Sequence, residues 1–146
     1  MITVAVSGGF DPIHIGHISL LREARQLGDK LVVILNNDHW LQAKKGFVFM
    51  TAEERKAVLE AIRYVDEVVI TTHPENPQDM SVCQELEALK PDIFANGGDR
   101  KPDDDPIPVP EVELANKIGI KLVYNVGGGK AQSSSDLVKR ARVKAS

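Results

Sequence analysis

The chain has 146 residues, a formal net charge of −3 and a single cysteine, Cys83. Its length predicts one domain, residues 1–146, with a core of its own, and its weak acidic balance excludes the basic surface that a nucleic-acid-binding protein needs. One cysteine excludes a disulfide framework, and no apolar run approaches the roughly 18 residues of a membrane span, so we expect a cytoplasmic protein with neither a signal peptide nor a membrane anchor.

The first predicted element is a buried strand, Ile2–Val6, and a glycine- and histidine-rich turn follows it at residues 7–17. A helical pattern begins directly after this turn, and backbone N–H groups at a strand-to-helix turn bind anions together with the helix N-terminus. His14 and His17 are three residues apart, so both rings can face one anion, and Gly16 lets the backbone approach a ligand closely. The turn therefore predicts a phosphate site with two cation-capable side chains.

The second predicted strand, Leu31–Leu35, is apolar throughout, as in a parallel strand that is buried on both faces. With the first strand and the intervening helix it forms a right-handed β-α-β unit, and we expect Gly28 to cap that helix at its C-terminal end. The strand ends at Asn36–Asp38, which places polar side chains at the carboxyl edge of the sheet, where open α/β folds bind ligands. A polar loop is expected next, at residues 42–46.

Further strands and helices alternate along the rest of the chain. Thr51 is expected to cap a helix, with Glu54 at the capping-box position. This alternation predicts an α/β domain with a mainly parallel five-stranded sheet. The remaining predicted elements are a third strand at 64–70, a helix at 80–89 that ends before Pro91, a fourth strand at 92–96, an irregular loop at 101–110, a helix at 112–118 capped by Gly119, a fifth strand at 120–126 and a terminal helix from the serines at 133–135 to Arg142.

The glycine- and histidine-rich turn also carries a specific motif. It matches the pattern Gly-x-Phe-Asp-x-x-His-x-Gly-His, so the chain resembles the nucleotidyltransferase superfamily. The alternative is an ordinary surface turn with two histidines, and the strand before the turn and the helix after it favour the motif. The Gly-x-Gly-x-x-Gly fingerprint of dinucleotide-binding enzymes is absent, which disfavours a dehydrogenase. The matching residues are Gly8, Phe10, Asp11, His14, Gly16 and His17.

The resemblance continues along most of the chain. Residues 44–68, with Arg55, Arg63 and Asp66, resemble glycerol-3-phosphate cytidylyltransferases. The stretch Asn96–Asp99, and the glycine run before the serines, also resemble adenylyltransferases that act on heptose 1-phosphate. Members of the superfamily end in an Ile-Ser-Ser/Thr-Thr-type motif, in which Gln132 takes the place of the isoleucine here. The resemblance implies a Rossmann-like three-layer sandwich and a homodimer.

The activity that the resemblance implies is transfer of a nucleoside monophosphate from a nucleoside triphosphate to a phosphorylated small molecule, with release of pyrophosphate. CTP with a sugar or polyol phosphate of the glycerol 3-phosphate kind is the first hypothesis. ATP with a sugar phosphate such as heptose 1-phosphate is the second, and a catalytically silent nucleotide-binding module is the third. Aminoacyl-tRNA synthetases share the histidine motif, but this chain lacks the length for an anticodon-binding region.

The resemblance also implies roles for individual residues. His14, His17 and Lys44 would be the catalytic groups that neutralise charge on the α-phosphoryl group. Mg²⁺ would be the cofactor, bound mainly through triphosphate oxygens. Asp11 is the best protein candidate near the metal, and its alternative role is to bind local backbone in the turn. The nucleotide would be bound by Gly8, Gly9, Phe10, Asp11, Gly16, Arg63, Gly97, Asp99, Ser133, Ser134 and Ser135.

The phosphorylated acceptor is expected at the end of the second strand, with Asp38, Arg55 and Trp40 as its binding residues. Arg55 has a plain alternative as an ordinary surface charge on a helix. Trp40 has one as a packing residue that covers the end of the sheet. The sequence leaves the roles of His39 and His73 open.

Overall fold

The computed structural model describes residues 1–97 and 109–127. Strands and helices alternate along these residues, and none of the described helices is both long enough and apolar enough to cross a membrane. The elements are β1 (Thr3–Gly8), α1 (Ile15–Gln26), β2 (Lys30–Leu35), α2 (Asp38–Lys45), α3 (Ala52–Glu60), β3 (Glu67–Ile70), α4 (Cys83–Leu89), β4 (Ile93–Gly97), α5 (Val109–Ile118) and β5 (Lys121–Val126).

The five strands found in these two ranges form one sheet in the order β3-β2-β1-β4-β5, and every neighbouring pair is parallel. The predicted α/β fold with a mainly parallel five-stranded sheet is thereby confirmed. The chain builds outward from β1 to β3 and then returns to the other side of β1, so the strand order reverses between β1 and β4. Open sheets of this kind bind ligands in the crevice at such a reversal, beyond the carboxyl ends of the strands.

Two apolar cores cover the two faces of the sheet. Side chains alternate along a strand, so Val33 and Leu35 of β2 lie in one core and Ile34 lies in the other. Leu21 of α1 and Leu59 of α3 pack into the first core. Helices on both faces give the three-layer sandwich and explain why the central strands are apolar on both sides. The second core, which we call the α4/α5 face, contains Ala5, Ile34, Val82, Leu86, Phe94, Ala115 and Ile120.

The prediction of a polar loop between β2 and α3 is wrong, because α2 occupies most of these residues. Asn37 caps its N-terminus by accepting a hydrogen bond from the Trp40 N–H, and Gly46 ends the helix with a φ of 81°. Both residue types are good helix-end signals. The helix buries only Leu41, so its apolar periodicity is too weak to reveal it.

The predicted cap of α1 by Gly28 is also wrong, whereas the predicted cap by Gly119 is confirmed. Leu27 is the C-cap residue of α1, and Gly28 does not adopt a positive φ. Gly28 is needed for space instead, because a Cβ there would lie 2.7 Å from the Ile2 carbonyl oxygen. Gly119 has a φ of 82° and donates its N–H back into α5.

Part of the predicted C-terminal half lies outside the described residues. This applies to residues 98–108, which include most of the predicted irregular loop, and to residues 128–146, which include the glycine run after Gly127 and the predicted terminal helix. α5 begins at Val109, earlier than the predicted start. Pro110 then occupies the first turn of the helix, where its missing N–H costs no intrahelical hydrogen bond.

The residue that follows β5 packs directly on α1. Gly127 has a φ of 88°, and a Cβ on it would lie 2.8 Å from the Leu20 nitrogen and 2.9 Å from the Leu20 Cα. The backbone at Gly127 therefore packs against the backbone of α1 at Leu20, which is three residues after His17. This contact fixes the end of β5 against the N-terminal half of α1.

We expect Gly127→Ala to lower the free energy of unfolding by about 3 kcal/mol, because it adds overlap with backbone atoms to the cost of a left-handed φ. Gly119→Ala is the matched control, since Gly119 has a φ of 82° but nothing within 4 Å of the position that a methyl group would take. Its loss should stay near 1 kcal/mol. Urea unfolding measures both variants, and equal losses would contradict the contact.

Candidate active site

The turn between β1 and α1 is packed tightly against α2. Phe10 is buried with a φ of 49°, and a Cβ on Gly8 would lie 3.1 Å from its ring. A Cβ on Gly9 would lie 2.8 Å from Leu41 and 3.6 Å from the ring of Trp40. The two glycines are therefore required by close packing, while their contact with a nucleotide stays a prediction.

His14 and His17 hold each other in place at the start of α1. His14 is the N-cap residue, and its Nδ1 accepts a hydrogen bond from the Gly16 N–H at 3.1 Å. His17 Nδ1 accepts one from the His14 N–H, also at 3.1 Å. The two imidazoles thus form a capping box, a motif usually built from Ser or Thr with Glu or Gln. Their rings stack, with centroids 3.9 Å apart and an interplanar angle of 27°.

These contacts determine which nitrogen of each ring carries the proton. A backbone N–H can only donate, so Nδ1 of His14 and of His17 must be an acceptor, and the neutral ring then carries its proton on Nε2. The pair therefore provides two Nε2–H donors at a helix N-terminus, where the helix dipole favours an anion. Such rings suit charge neutralisation better than proton abstraction, because their acceptor nitrogens already hold the backbone.

Asp11 joins this turn to the segment between α2 and α3. Its side chain is fully buried, its Oδ2 accepts a hydrogen bond from the Phe49 N–H, and its Oδ1 accepts one from the Met50 N–H, each at 2.7 Å. The expected alternative, a hydrogen bond to local backbone, is wrong because both partners are distant in the sequence. Both carboxylate oxygens bind backbone, and a contact between Asp11 and the nucleotide stays a prediction.

Arg55 of α3 joins three segments beneath the site. The alternative of an ordinary surface charge is wrong, because Arg55 is only 1% exposed. Its donors face protein groups, so direct binding of an acceptor by Arg55 stays a prediction. The guanidinium donates to the carbonyls of Met50 at 2.9 Å, Gly9 at 2.8 Å and Asn36 at 2.6 Å, and to Asp38 Oδ1 at 2.7 Å.

Sequence reasoning missed a buried polar network at the carboxyl end of β3. Asn37 donates from its backbone to Thr71 Oγ1 at 3.0 Å and from its side chain to the His73 carbonyl at 2.9 Å. The His73 ring lies between Thr71 Oγ1 at 2.8 Å and the Ser81 carbonyl at 3.0 Å. Because a carbonyl only accepts, the neutral ring donates from Nε2 and accepts the Thr71 hydroxyl at Nδ1. The polar residues that directly follow β2 and β3 were the only sequence signal.

Trp40 lies between the turn after β1 and the segment before α4. Its ring packs against Gly9, and its indole Nε1 donates to the Met80 carbonyl at 2.9 Å. Trp40 is half-buried, so it packs as the plain alternative predicts and still presents part of its surface.

Hydrogen bonds from the Ser81 hydroxyl and backbone N–H lower the pKa of the neighbouring Asp79 carboxyl.

The other predicted site residues are spread more widely. Lys44, in the last turn of α2, and Arg63, after α3, are both exposed. Gly97 is the last residue of β4, the strand beside β1. Asp99 and the serines at 133–135 lie outside the described residues, so their roles stay predictions.

The chain is similar to several known proteins. A family profile described as cytidylyltransferase-like matches residues 5–122. An FAD synthase of Pyrococcus horikoshii is 44% identical over 100 residues, which are 68% of this chain and 64% of that protein. A glycerol-3-phosphate cytidylyltransferase of Bacillus subtilis is 40% identical over 96 residues, which are 66% of this chain and 70% of that protein. The crystal structure of a lipopolysaccharide core biosynthesis protein from Thermoplasma volcanium matches with a TM-score of 0.68 and 29% identity, over 89% of this chain and 99% of that one.

We expect Arg55→Lys to lower the free energy of unfolding by about 3 kcal/mol, because one ammonium group cannot replace a fork of donors and leaves buried carbonyls unpaired. Arg25→Lys is the control. Arg25 also binds a carbonyl, that of Gly28 at 2.8 Å, and Asp66 at 3.2 Å, but its side chain is 36% exposed. Its loss should stay below about 1 kcal/mol. Similar urea-unfolding losses for both variants would contradict the role given to Arg55.

Proposed function

Because the chain belongs to the cytidylyltransferase-like family, we propose that it transfers a nucleoside monophosphate from a nucleoside triphosphate to a phosphorylated small molecule and releases pyrophosphate. The reciprocal cap of His14 and His17 is the observation that carries this proposal. The two stacked rings lie at the start of α1, in the turn that follows β1, and each carries an Nε2–H donor. β1 is one of the two strands between which the strand order reverses.

The proposed reaction makes one bond and breaks one bond at the α-phosphorus. An oxygen of the acceptor phosphate attacks this phosphorus, and the bond to the oxygen that bridges the α- and β-phosphates breaks, so pyrophosphate leaves with that oxygen. A phosphate monoester has a second pKa of about 6, so the acceptor is largely dianionic at neutral pH and needs no general base. The site has to align two anions and offset the charge of the α-phosphoryl group.

The histidine pair fits the second of these tasks. Preorganised donors stabilise charge that develops in a transition state without a cost of reorganisation at the moment of reaction. His14 and His17 are preorganised because backbone N–H groups fix the orientation of each ring. Lys44, exposed at the end of α2, is the proposed third catalytic group and would add a full positive charge.

We place the nucleotide in the crevice between β1 and β4, because the strand order reverses there. Gly8 and Gly97 end these two strands at the crevice. Among the residues that the structure describes, Asp11 and Asp38 offer no ready cage for Mg²⁺, since both oxygens of Asp11 hold backbone and one oxygen of Asp38 holds Arg55. These contacts favour a magnesium ion that is bound mainly through the triphosphate oxygens.

Two pairs of substrates are candidates. CMP transfer from CTP to a sugar or polyol phosphate is the first, supported by 40% identity to a glycerol-3-phosphate cytidylyltransferase. AMP transfer from ATP to a sugar phosphate such as heptose 1-phosphate, or to another phosphorylated acceptor, is the second. The 44% identity to an FAD synthase favours it, because the product in that name contains an adenylyl group. In both cases Asp38 and Trp40, at the carboxyl end of β2, would contact the acceptor.

A nucleotide screen followed by a pyrophosphate assay tests this proposal. A nucleotide present at 100 times its Kd adds about 2.7 kcal/mol to the apparent stability, so CTP, ATP, GTP and UTP with Mg²⁺ can be ranked by thermal shift. Pyrophosphate release with the preferred nucleotide and a panel of phosphorylated acceptors would support transfer. Binding without release across the panel would favour the silent nucleotide-binding module, and no stabilisation by any of the four would overturn the proposal.

We expect His17→Gln to lower kcat for pyrophosphate release by about 100-fold or more, because it removes one donor from the α-phosphoryl group. Glutamine suits this position of a capping box, so the cap of α1 and the unfolding free energy should be retained. His14→Asn is the companion variant, since asparagine is a good N-cap residue without an imidazole. Full turnover by either folded variant would contradict the assignment of that histidine.

A further inference from the structure

A buried polar atom at the carboxyl edge of β2 lacks a partner. Within residues 1–97 and 109–127, Asn36 Oδ1 is the buried side-chain nitrogen or oxygen without a hydrogen bond, and Asn36 as a whole is 4% exposed. The backbone of this residue is fully used. Its N–H donates to the Gly8 carbonyl at 3.0 Å, and its carbonyl accepts from Arg55 Nη1 at 2.6 Å. Only the side chain is left to be paired.

An unpaired acceptor in this position is costly. A buried polar group without a hydrogen bond loses its hydration with no compensation, and such groups are rare enough in native proteins that each one calls for an explanation. Asn36 cannot relieve the cost by moving its backbone, because the bonds to Gly8 and Arg55 hold it from both sides. A ligand that brings a donor would recover this cost on binding.

The position of Asn36 points to the acceptor substrate. The same Arg55 guanidinium contacts the Asn36 carbonyl at 2.6 Å and Asp38 Oδ1 at 2.7 Å, so Asn36 lies next to a proposed acceptor-binding residue. β2 is on the opposite side of β1 from β4, which separates Asn36 from the nucleotide crevice by a full strand. Strand alternation places its side chain on the α4/α5 face with Ile34.

The chemistry of the missing partner follows from that of the acceptor atom. Oδ1 can only accept, so the partner must carry an O–H or N–H group. A phosphate dianion has none, so the donor must belong to the rest of the acceptor molecule. Asp38, two residues further along the chain, adds a second oxygen acceptor at the same carboxyl edge of the sheet, and two acceptors suit a molecule with several hydroxyl groups.

We propose that Asn36 Oδ1 accepts a hydrogen bond from a hydroxyl group of the phosphorylated acceptor, and that Asn36 thereby selects sugar or polyol phosphates over alkyl phosphates. This inference rests on the proposed function. The χ2 torsion of an asparagine amide is broad, so the side chain can adjust to the incoming hydroxyl group while its backbone stays in place. Asn36 is then a specificity-determining residue for the acceptor.

The test compares two phosphate esters that differ only in hydroxyl groups. Titration calorimetry measures the binding of glycerol 3-phosphate and of propyl phosphate to the wild-type chain and to Asn36→Leu. The wild-type chain should bind glycerol 3-phosphate about 10- to 100-fold more tightly, as expected for one hydrogen bond to a buried acceptor. Asn36→Leu should bind both esters about equally, with the Kd for propyl phosphate unchanged. Asn36→Asp, which keeps an oxygen acceptor, should retain the preference.

Unfolding measurements provide a control for the unpaired state. Asn36→Leu should leave the free energy of unfolding unchanged or raise it, because it removes an acceptor that has no bond in the unliganded chain. Asn96→Leu should lower it, since Asn96 is equally buried at the end of β4 and already donates to the Phe94 carbonyl at 3.2 Å. A loss for Asn36→Leu as large as that for Asn96→Leu would show that Oδ1 is already bonded and would overturn the proposal.

Other outcomes separate this inference from the transferase. Equal binding of the two esters by the wild-type chain, or a preference that survives in Asn36→Leu, would overturn the inference about Asn36. A preference for phosphoethanolamine that disappears in Asn36→Leu would also overturn it, in favour of an ammonium donor. A wild-type chain that prefers glycerol 3-phosphate but releases no pyrophosphate with any nucleotide would keep the role of Asn36 and lose the transferase.

Discussion

The site depends on one buried positive charge. Arginine stays protonated in proteins, and a buried charge is tolerated only when it is paired and hydrogen-bonded. For Arg55 the acceptors come from the turn after β1, the end of β2, the first residue of α2 (Asp38, its ion-pair partner) and the segment before α3. Asp11 links two of the same segments, because its carboxylate in the turn after β1 accepts hydrogen bonds from the backbone of Phe49 and Met50 before α3. The charge is therefore satisfied only when all four of these segments are in place, which couples the docking of α3 to the assembly of the site.

His14 and His17 belong to the sequence motif and also form the N-terminal capping box of α1. Each ring uses its Nδ1 to bind the backbone at the start of α1, and this bond fixes both its orientation and its tautomer. The helix cap thus fixes both rings in a stacked pair, with their centroids 3.9 Å apart. The ring of Phe10 also packs against His17, with the two ring centroids 4.8 Å apart.

Local patterns made the sheet and the histidine motif predictable, whereas long-range hydrogen bonds left no trace in the sequence. Apolar runs and their alternation with helices indicated the strands, because burial on both faces acts on consecutive residues. From the sequence, Arg55 was an acceptor-binding candidate or a surface charge, and Asp11 was a candidate near the nucleotide and the metal. Neither hypothesis included the structural contacts, because Arg55 reaches Gly9 across 46 positions and Asp11 reaches Phe49 across 38. Asn36 resembled one more polar residue at a strand end, and only its surroundings show that its Oδ1 is unpaired.

Gly9 stands at the variable position between Gly8 and Phe10 of the motif, and its packing changes how a substitution there should be interpreted. A glycine in a phosphate-binding turn is commonly credited with contact to the ligand. Here a Cβ at Gly9 would lie 2.8 Å from Leu41 Cδ2, which is too close without a shift of one of them. A loss of activity after replacement of Gly9 would therefore indicate disturbed packing of α2 at Leu41. A second substitution that shortens Leu41 should restore activity if packing is the cause, and should not if a contact with the ligand was lost.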